Sequence, residues 1–240
     1  MKKLYILLPI LFLIYWGCDD KQTEEVDDTP TEITLWGGVF SVENTTYLDL
    51  GGNQLTGSIP KDIGHLTNLT YLDLGGNQLI GSIPIEIWSL TNLTYLNLGG
   101  NQLTGSIPKD IGNMINLDWL FLYSNQLTGS IPSEIGDLIN LTRLSLSENQ
   151  LTGSIPSKIG NLTNLEILNL GDNQLTGSIP YWLWGLTNLI NIWLDNNQFS
   201  GTVSVQGLCN LNETCYINIE NNQLCPPYPS CINVGNQDCN

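Results

Sequence analysis

The chain has 240 residues and only 12% charged side chains, yet a formal charge of −16, because seven Lys and Arg face 23 Asp and Glu. That sign excludes nucleic-acid binding driven by phosphate neutralisation. A single His, with no phosphate-cradling glycine loop and no nucleophile elbow, leaves no general base and no cofactor motif, so neither enzyme activity nor a metal or cofactor is expected.

The chain opens MKKLYILLPILFLIYWGCDD. Lys2 and Lys3 precede an apolar core, Leu4 to Trp16, of signal-peptide length and too short for a relaxed membrane span. Gly17-Cys18, directly after it, resembles the bacterial lipobox, with Tyr15 and Trp16 where that family has Leu and a small residue. The resemblance implies a leader over residues 1–18, lipidation of Cys18 and attachment to a cell surface; an ordinary leader implies secretion. Residues 19–32, DDKQTEEVDDTPTE, carry acids and almost nothing apolar. Such a segment buries too little surface to offset its ordering entropy, and it is expected to be an extended tether.

Residues 33–46 are apolar and aromatic but off the pattern that follows; Leu35, Trp36, Val39 and Phe40 are expected to cap the domain. From Tyr47 the sequence repeats. Units begin at Tyr47, Tyr71, Tyr95, Trp119, Arg143, Ile167 and Asn191, 24 residues apart, and an eighth begins at Tyr216, one residue late. A fixed period in the twenties marks a solenoid. Within Tyr47-Leu48-Asp49-Leu50-Gly51 the leucines alternate, which predicts a short strand with Leu48 and Leu50 inward and Tyr47, Asp49 and Gly51 outward. Leu55, Ile59, Ile63, Leu66 and Leu69 complete an inward set that only stacking can bury. The column from Asn53 to Asn222 is expected to satisfy turn backbone groups, Gly57 and its copies to supply positive-φ turns, and Pro60 and its copies to end a second extended segment.

These units follow xLxLxxNxLxGxIPxxIGxLxNLx from about Tyr47 to Leu224, and the GxIP element (Gly57-Ser58-Ile59-Pro60) resembles the plant-type subclass of leucine-rich repeats. The resemblance implies an α/β-type, mostly β solenoid: a right-handed superhelix of about eight coils whose concave parallel sheet is the usual ligand surface. Polygalacturonase-inhibiting proteins share the repeat type, so the resemblance also implies inhibition of a secreted polysaccharide hydrolase as an alternative.

Residues 225–240 read as a cysteine-rich C-terminal cap. In an oxidising compartment Cys209, Cys215, Cys225, Cys231 and Cys239 are expected to form mostly disulfides: Cys209 with Cys215, and Cys225 with Cys231 or Cys239. Zinc is disfavoured, because His65 is distant and no CxxC pair exists.

Where the repeat varies, it has room to specialise. The outward columns change from Tyr, Asp, Gly in the first coils to Trp119, Phe121 and Tyr123 in the fourth. With Tyr95 on one side and Arg143 on the other, these aromatics form a candidate site for a sugar or peptide, and Trp193 is a further contact. Glu148, Asp172 and Asp195 form a secondary acidic region suited to a basic peptide or a cation. Asp49 and Asp73 stand at the separation of a retaining glycosidase pair, but on an open, wet face that cannot raise a pKa for acid catalysis. The column Thr56, Ile80, Thr104, Thr128, Thr152, Thr176 and Ser200 resembles the threonine ladders of ice-binding solenoids. Sequons at Asn44, Asn68, Asn92, Asn140, Asn161 and Asn212 coincide with the repeat consensus or its flanks. The reading is an extracellular recognition or adhesion module for a protein, peptide or polysaccharide, touching a membrane only through its N-terminal anchor, with an ice- or surface-binding solenoid acting through the Thr column as a further alternative.

Overall fold

The computed structural model describes residues 30–203, 215–228 and 237. Cys18 and residues 19–29 lie outside the described residues, as do Cys209, Cys231, Cys239 and Asn212. The described chain begins with an antiparallel hairpin, Glu32–Leu35 and Gly38–Ser41. Its turn residues Trp36 and Gly37 both have positive φ, 45° and 86°, the two-residue turn whose twist matches paired strands. The tether expected through residue 32 therefore gives way to strand at Glu32. Ile33 and Leu35 enter the core and Phe40 packs against it, whereas Val39, expected in the cap, is 63% exposed. Alternation across the hairpin puts Val39 on the face opposite Phe40.

Each coil then repeats one path. A three-residue strand (Tyr47–Asp49 in the first coil, Trp119–Phe121 in the fourth) leads through a turn to a second short strand, such as Gln126–Ser130. Six coils return through a five-residue 3-10 helix, from Lys61–His65 to Tyr181–Gly185. No α-helix occurs among the described residues, so the helical part of the expected α/β character is 3-10 throughout. Five residues between a proline and the next turn leave space for only one tight helical turn. The proline stands in extended conformation just before that helix, and its carbonyl accepts the first bond, Ile63 N to Pro60 O at 3.2 Å.

The coils stack into two parallel sheets of eight strands each. In the first sheet, residues 24 apart stand opposite each other: Tyr95 beside Trp119, and Trp119 beside Arg143. Leucines at the central strand position, Leu72 to Leu168, are fully buried, as are the 3-10 residues Ile63, Ile87 and Ile111. One continuous core runs along the stack, because no single coil closes around its own apolar set.

The asparagine column is the polar spine. Asn101 Nδ2 donates to the carbonyls of Leu74, Leu98 and Gly99, and its Oδ1 accepts from Leu79 N at 3.0 Å. From Asn77 to Asn222 each such amide satisfies turn backbone groups, as expected from the sequence, and also joins its turn to the coil before it. Gly57 and its copies through Gly201 all have positive φ. A second left-handed position follows each strand of the first sheet. It is glycine in the first three coils (Gly52, Gly76, Gly100) and Ser124, Glu148, Asp172, Asn196 and Asn221 afterwards.

Cys225 is disulfide-bonded. Cys215 is a free thiol, so the expected Cys209–Cys215 bond is not made. Its side chain packs against the apolar core, and burial pushes the thiol up to about 11. Among the described residues no helix is long and apolar enough to cross a membrane.

Candidate functional site

The outward face of the first sheet carries the aromatic residues. A strand alternates its side chains, so Trp119 and Phe121 leave on the face opposite the buried Leu120, and Tyr123 continues the alternation past the fully buried Leu122. The rings form one ribbon. Phe121 lies 5.9 Å from both Trp119 and Tyr95, and 6.3 Å from Tyr123. Tyr95 meets Trp119 at 5.5 Å. These are the tilted and edge-to-face contacts that aromatic quadrupoles favour.

Two residues outside the expected site belong to the ribbon. Tyr47, Tyr71 and Tyr95 stack nearly parallel, with centroids 4.3 and 4.2 Å apart. Three identical tyrosines in one column at strand spacing were the signal for this stack. Burial raises the Tyr71 and Tyr95 hydroxyls above the usual phenol range, and for Tyr95 the nearby Asp73 charge adds to it. Tyr95 donates to Asp73 Oδ2 at 3.3 Å, while Asp73 Oδ1 accepts from Gly75 N and Asn97 Nδ2. Asp49 and Asp73 do stand opposite each other, but Asp73 is engaged in holding the turn and the stack.

Arg143 lies across the ribbon's edge. Its guanidinium carbon is 4.1 Å from the centroid of the Trp119 ring. Neither ion pair found among the described residues involves it, and its Nε is buried without a hydrogen-bond partner. It is the only arginine of the chain. Glycines shape the floor. A Cβ on Gly99 would stand 2.5 Å from Tyr123 Cε1, so the Tyr123 ring lies directly over Gly99.

Trp193 is not part of this ribbon. It pairs with Tyr216, ring centroids 6.0 Å apart, with the Ile167 and Arg143 strands between it and Trp119. The acidic residues divide by role. Glu148 and Asp172 are exposed left-handed turn residues, and Glu148 accepts from Ser124 Oγ at 2.7 Å. Asp195 is half-buried over Gly171, and burial raises its carboxyl pKa, with Asp172 and Glu220 adding to the effect. Glu220 is thus a fourth acid of this group. No cluster suited to a metal ion occurs among the described residues.

The threonine column is not a cross-strand ladder. The second sheet is staggered by two residues per strand, so Thr104 stands opposite Gln126 and Ser82 rather than Thr128 and Ile80. Its outward face is a lattice of exposed Gln, Thr and Ser, for example Gln126, Thr128 and Ser130.

Comparison with known proteins agrees with this architecture. Leucine-rich-repeat family models match residues 46–87, 92–114, 116–138 and 139–199. The Arabidopsis receptor kinase HAESA, solved in complex with the peptide hormone IDA and a co-receptor, is 39% identical with a TM-score of 0.70, over 75% of this chain and 30% of that one. A leucine-rich-repeat protein of Leptospira interrogans is 35% identical with a TM-score of 0.59, over 75% and 50%. A plant ice-binding protein is 29% identical with a TM-score of 0.58, over 77% and 67%. The chain spans less than a third of the length of the HAESA chain it matches. No curated protein matches it. Eight stacked coils with their asparagine spine, and 39% identity to a receptor built on the same repeat, place the chain in the leucine-rich-repeat family.

Proposed function

We propose that the outward face of the first sheet binds an extended polypeptide, and that lipidated Cys18 and the acidic segment 19–32 hold this binding module outside the cell. The observation that carries the reading is the Arg143 guanidinium over Trp119, with no carboxylate partner among the described residues. In a chain of net charge −16, an unpaired arginine stacked on a ring is a charge presented to a ligand.

The ring geometry favours peptide over sugar. A sugar stacks on an open aromatic face. Tyr71 is sandwiched between Tyr47 and Tyr95, and one face of Trp119 lies under Arg143. Apart from the outer face of Tyr47 at the end of the stack, the ribbon offers tilted and edge-on rings, suited to the aliphatic and amide groups of a peptide. Eight strands at about 4.8 Å offer about 34 Å, the length of roughly ten extended residues. The acids at Asp172, Asp195 and Glu220 give the face a polarity, so the peptide's basic end belongs there. Similarity to a peptide-hormone receptor ectodomain supports this reading.

The test is a combined protein and glycan array, probed with residues 19–240 beside Arg143→Ala and a Trp119→Ala, Phe121→Ala, Tyr123→Ala triple variant. Peptide or protein binding, lost in both variants at unchanged melting temperature, is the expected result. Glycan binding, or binding that survives both variants, overturns it. Capture of a secreted polysaccharide hydrolase with loss of its activity establishes the inhibitor alternative.

A second reading uses the other sheet. Its exposed Gln, Thr and Ser lattice carries no charge, and one relative is an ice-binding protein. On that reading Thr104→Lys and Thr128→Lys abolish inhibition of ice recrystallisation while the triple aromatic variant retains it; an inactive wild type removes the reading.

A further inference from the structure

At the N-terminal end of the solenoid, four repeating contacts stop at the same rung. Tyr47–Asp49 is the terminal strand of the first sheet and pairs only with Tyr71–Asp73. The hairpin of residues 32–41 is a separate sheet that covers the core with Ile33 and Leu35, and no strand among the described residues pairs with that edge. Tyr71 has a ring on each face, whereas Tyr47 has one ring neighbour and is 60% exposed. Asn77 Oδ1 accepts from Asn53 N and Leu55 N of the preceding turn, and Asn101 and Asn125 accept from Leu79 N and Leu103 N. The Asn53 Oδ1 accepts nothing among the described residues. A Cβ on Gly76 would meet Gly52 of the turn before at 3.7 Å, and one on Gly100 would meet Gly76 at 3.3 Å; on Gly52 it would meet nothing within 4 Å.

The other end of the spine is closed. Gln237 Oε1 accepts from Leu224 N at 3.2 Å and its Nε2 donates to Ile219 O at 2.9 Å. These are the bonds that Asn222 makes one coil earlier, to Phe199 N and Leu194 O. A glutamine thus takes the place of a ninth asparagine at the C-terminal end, and nothing described takes the place of a preceding coil at the N-terminal end.

We propose that this open rung is a docking site for an extended peptide segment of a partner protein. The segment adds parallel to Tyr47–Asp49, stacks an aromatic ring on Tyr47 and donates backbone N–H groups to Asn53 Oδ1, in the manner of strand addition to a sheet edge. The repeat itself specifies the occupant. Residues 46–55 and 70–79 are identical, TYLDLGGNQL. The rung at 70–79 is therefore matched to that sequence lying before it, and the rung at 46–55 presents the same surface with the place before it open. A second copy fits less well, because two edges related by a two-fold axis pair antiparallel and set Tyr47 opposite Asp49, which breaks the ring column. The site shares Tyr47 with the aromatic ribbon but uses the free strand edge rather than the outward face around Arg143, and it does not depend on that reading.

The test is an NMR titration of the mature full chain with the blocked peptide TYLDLGGNQL. Shifts confined to residues 46–53 and the Tyr47 ring are expected. Tyr47→Ala weakens binding about threefold to tenfold, the range of one aromatic stack, and Tyr47→Phe restores it. A peptide N-methylated at alternate amides that face the edge no longer binds, and Arg143→Ala changes nothing. No shifts, shifts centred on Trp119 and Arg143, or undiminished binding by Tyr47→Ala overturns the proposal. Sedimentation showing a dimer that Tyr47→Ala dissolves overturns it too, by assigning the edge to a second copy.

Discussion

The Arg143 guanidinium rests 4.1 Å over the Trp119 ring of the adjacent strand, and no carboxylate among the described residues meets it. A cation–π contact contributes about 0.5 to 2 kcal/mol, more as it is desolvated, so this half-buried pair is a small part of the fold's stability. Arg143→Ala is expected to shift stability by no more than about 2 kcal/mol while abolishing binding at this face. Arg143→Lys recovers little, because an ammonium lacks the planar fork that both stacks and chelates. Thermal melting and ligand titration of the same samples separate the two effects.

Tyr123 is held in place by the absence of a side chain beneath it. Gly99→Ala would put a Cβ 2.5 Å from its ring, closer than real Cβ contacts, and the ring must swing away. The expected outcome is weakened ligand binding with the fold retained, measured by titration and circular dichroism. Tyr123→Ala in the Gly99→Ala background then costs no further affinity, because the two changes act on one ring.

Asparagines of the spine differ by position, not by chemistry. Asn101 serves Leu79 N and three carbonyls, and Leu79 is fully buried. Each buried group left unsatisfied costs about 1–3 kcal/mol, so Asn101→Ala is expected to lose at least about 2 kcal/mol. Asn53, exposed at the open end, donates to Gly51 O and accepts nothing among the described residues, and Asn53→Ala should stay within about 0.5 kcal/mol. Urea midpoints of the two variants measure the contrast.

Acid should favour this end of the fold. The carboxyl of Asp195 is raised above its ordinary value by burial and by Asp172 and Glu220. The folded state therefore holds that proton more tightly than the unfolded state. The contribution is fully present below the unfolded carboxyl pKa and is lost as pH rises through the higher folded value. Asp195→Asn is expected to raise the melting temperature at neutral pH and to flatten its dependence on pH through the carboxylate range. A calorimetric series that finds the same slope in wild type and variant contradicts this.

Cys215 should be inert. With burial pushing the thiol up to about 11, roughly one molecule in ten thousand is thiolate at neutral pH. Alkylation of the native protein is expected to be slow at pH 7 and to accelerate with rising pH or on unfolding, as mass spectrometry would show.

Most of the scaffold was legible in the chain because repetition makes a residue's neighbour its own copy 24 positions away. The inward leucines, the asparagine spine, the positive-φ glycines and the opposition of Tyr95, Trp119 and Arg143 all follow from period and alternation. The second sheet was not legible in the same way. Its strands shift by two residues per coil, so equal positions are not neighbours, and the threonine column resolves into a lattice shared with Gln and Ser. Cys215 misled for a related reason: spacing allowed a bond, but its side chain packs against the core.

The sequence alone determined the coil count, the buried set and which residues face outward, since these depend on local periodicity and on hydrophobic burial that stacking must satisfy. Only the tertiary structure decided how outward side chains use one another. Ring planes, the cation over Trp119, the glycine floor under Tyr123 and the unfilled rung at Tyr47 depend on side-chain directions and on the solenoid having two unlike ends. A repeat pattern, identical from coil to coil, carries neither kind of information.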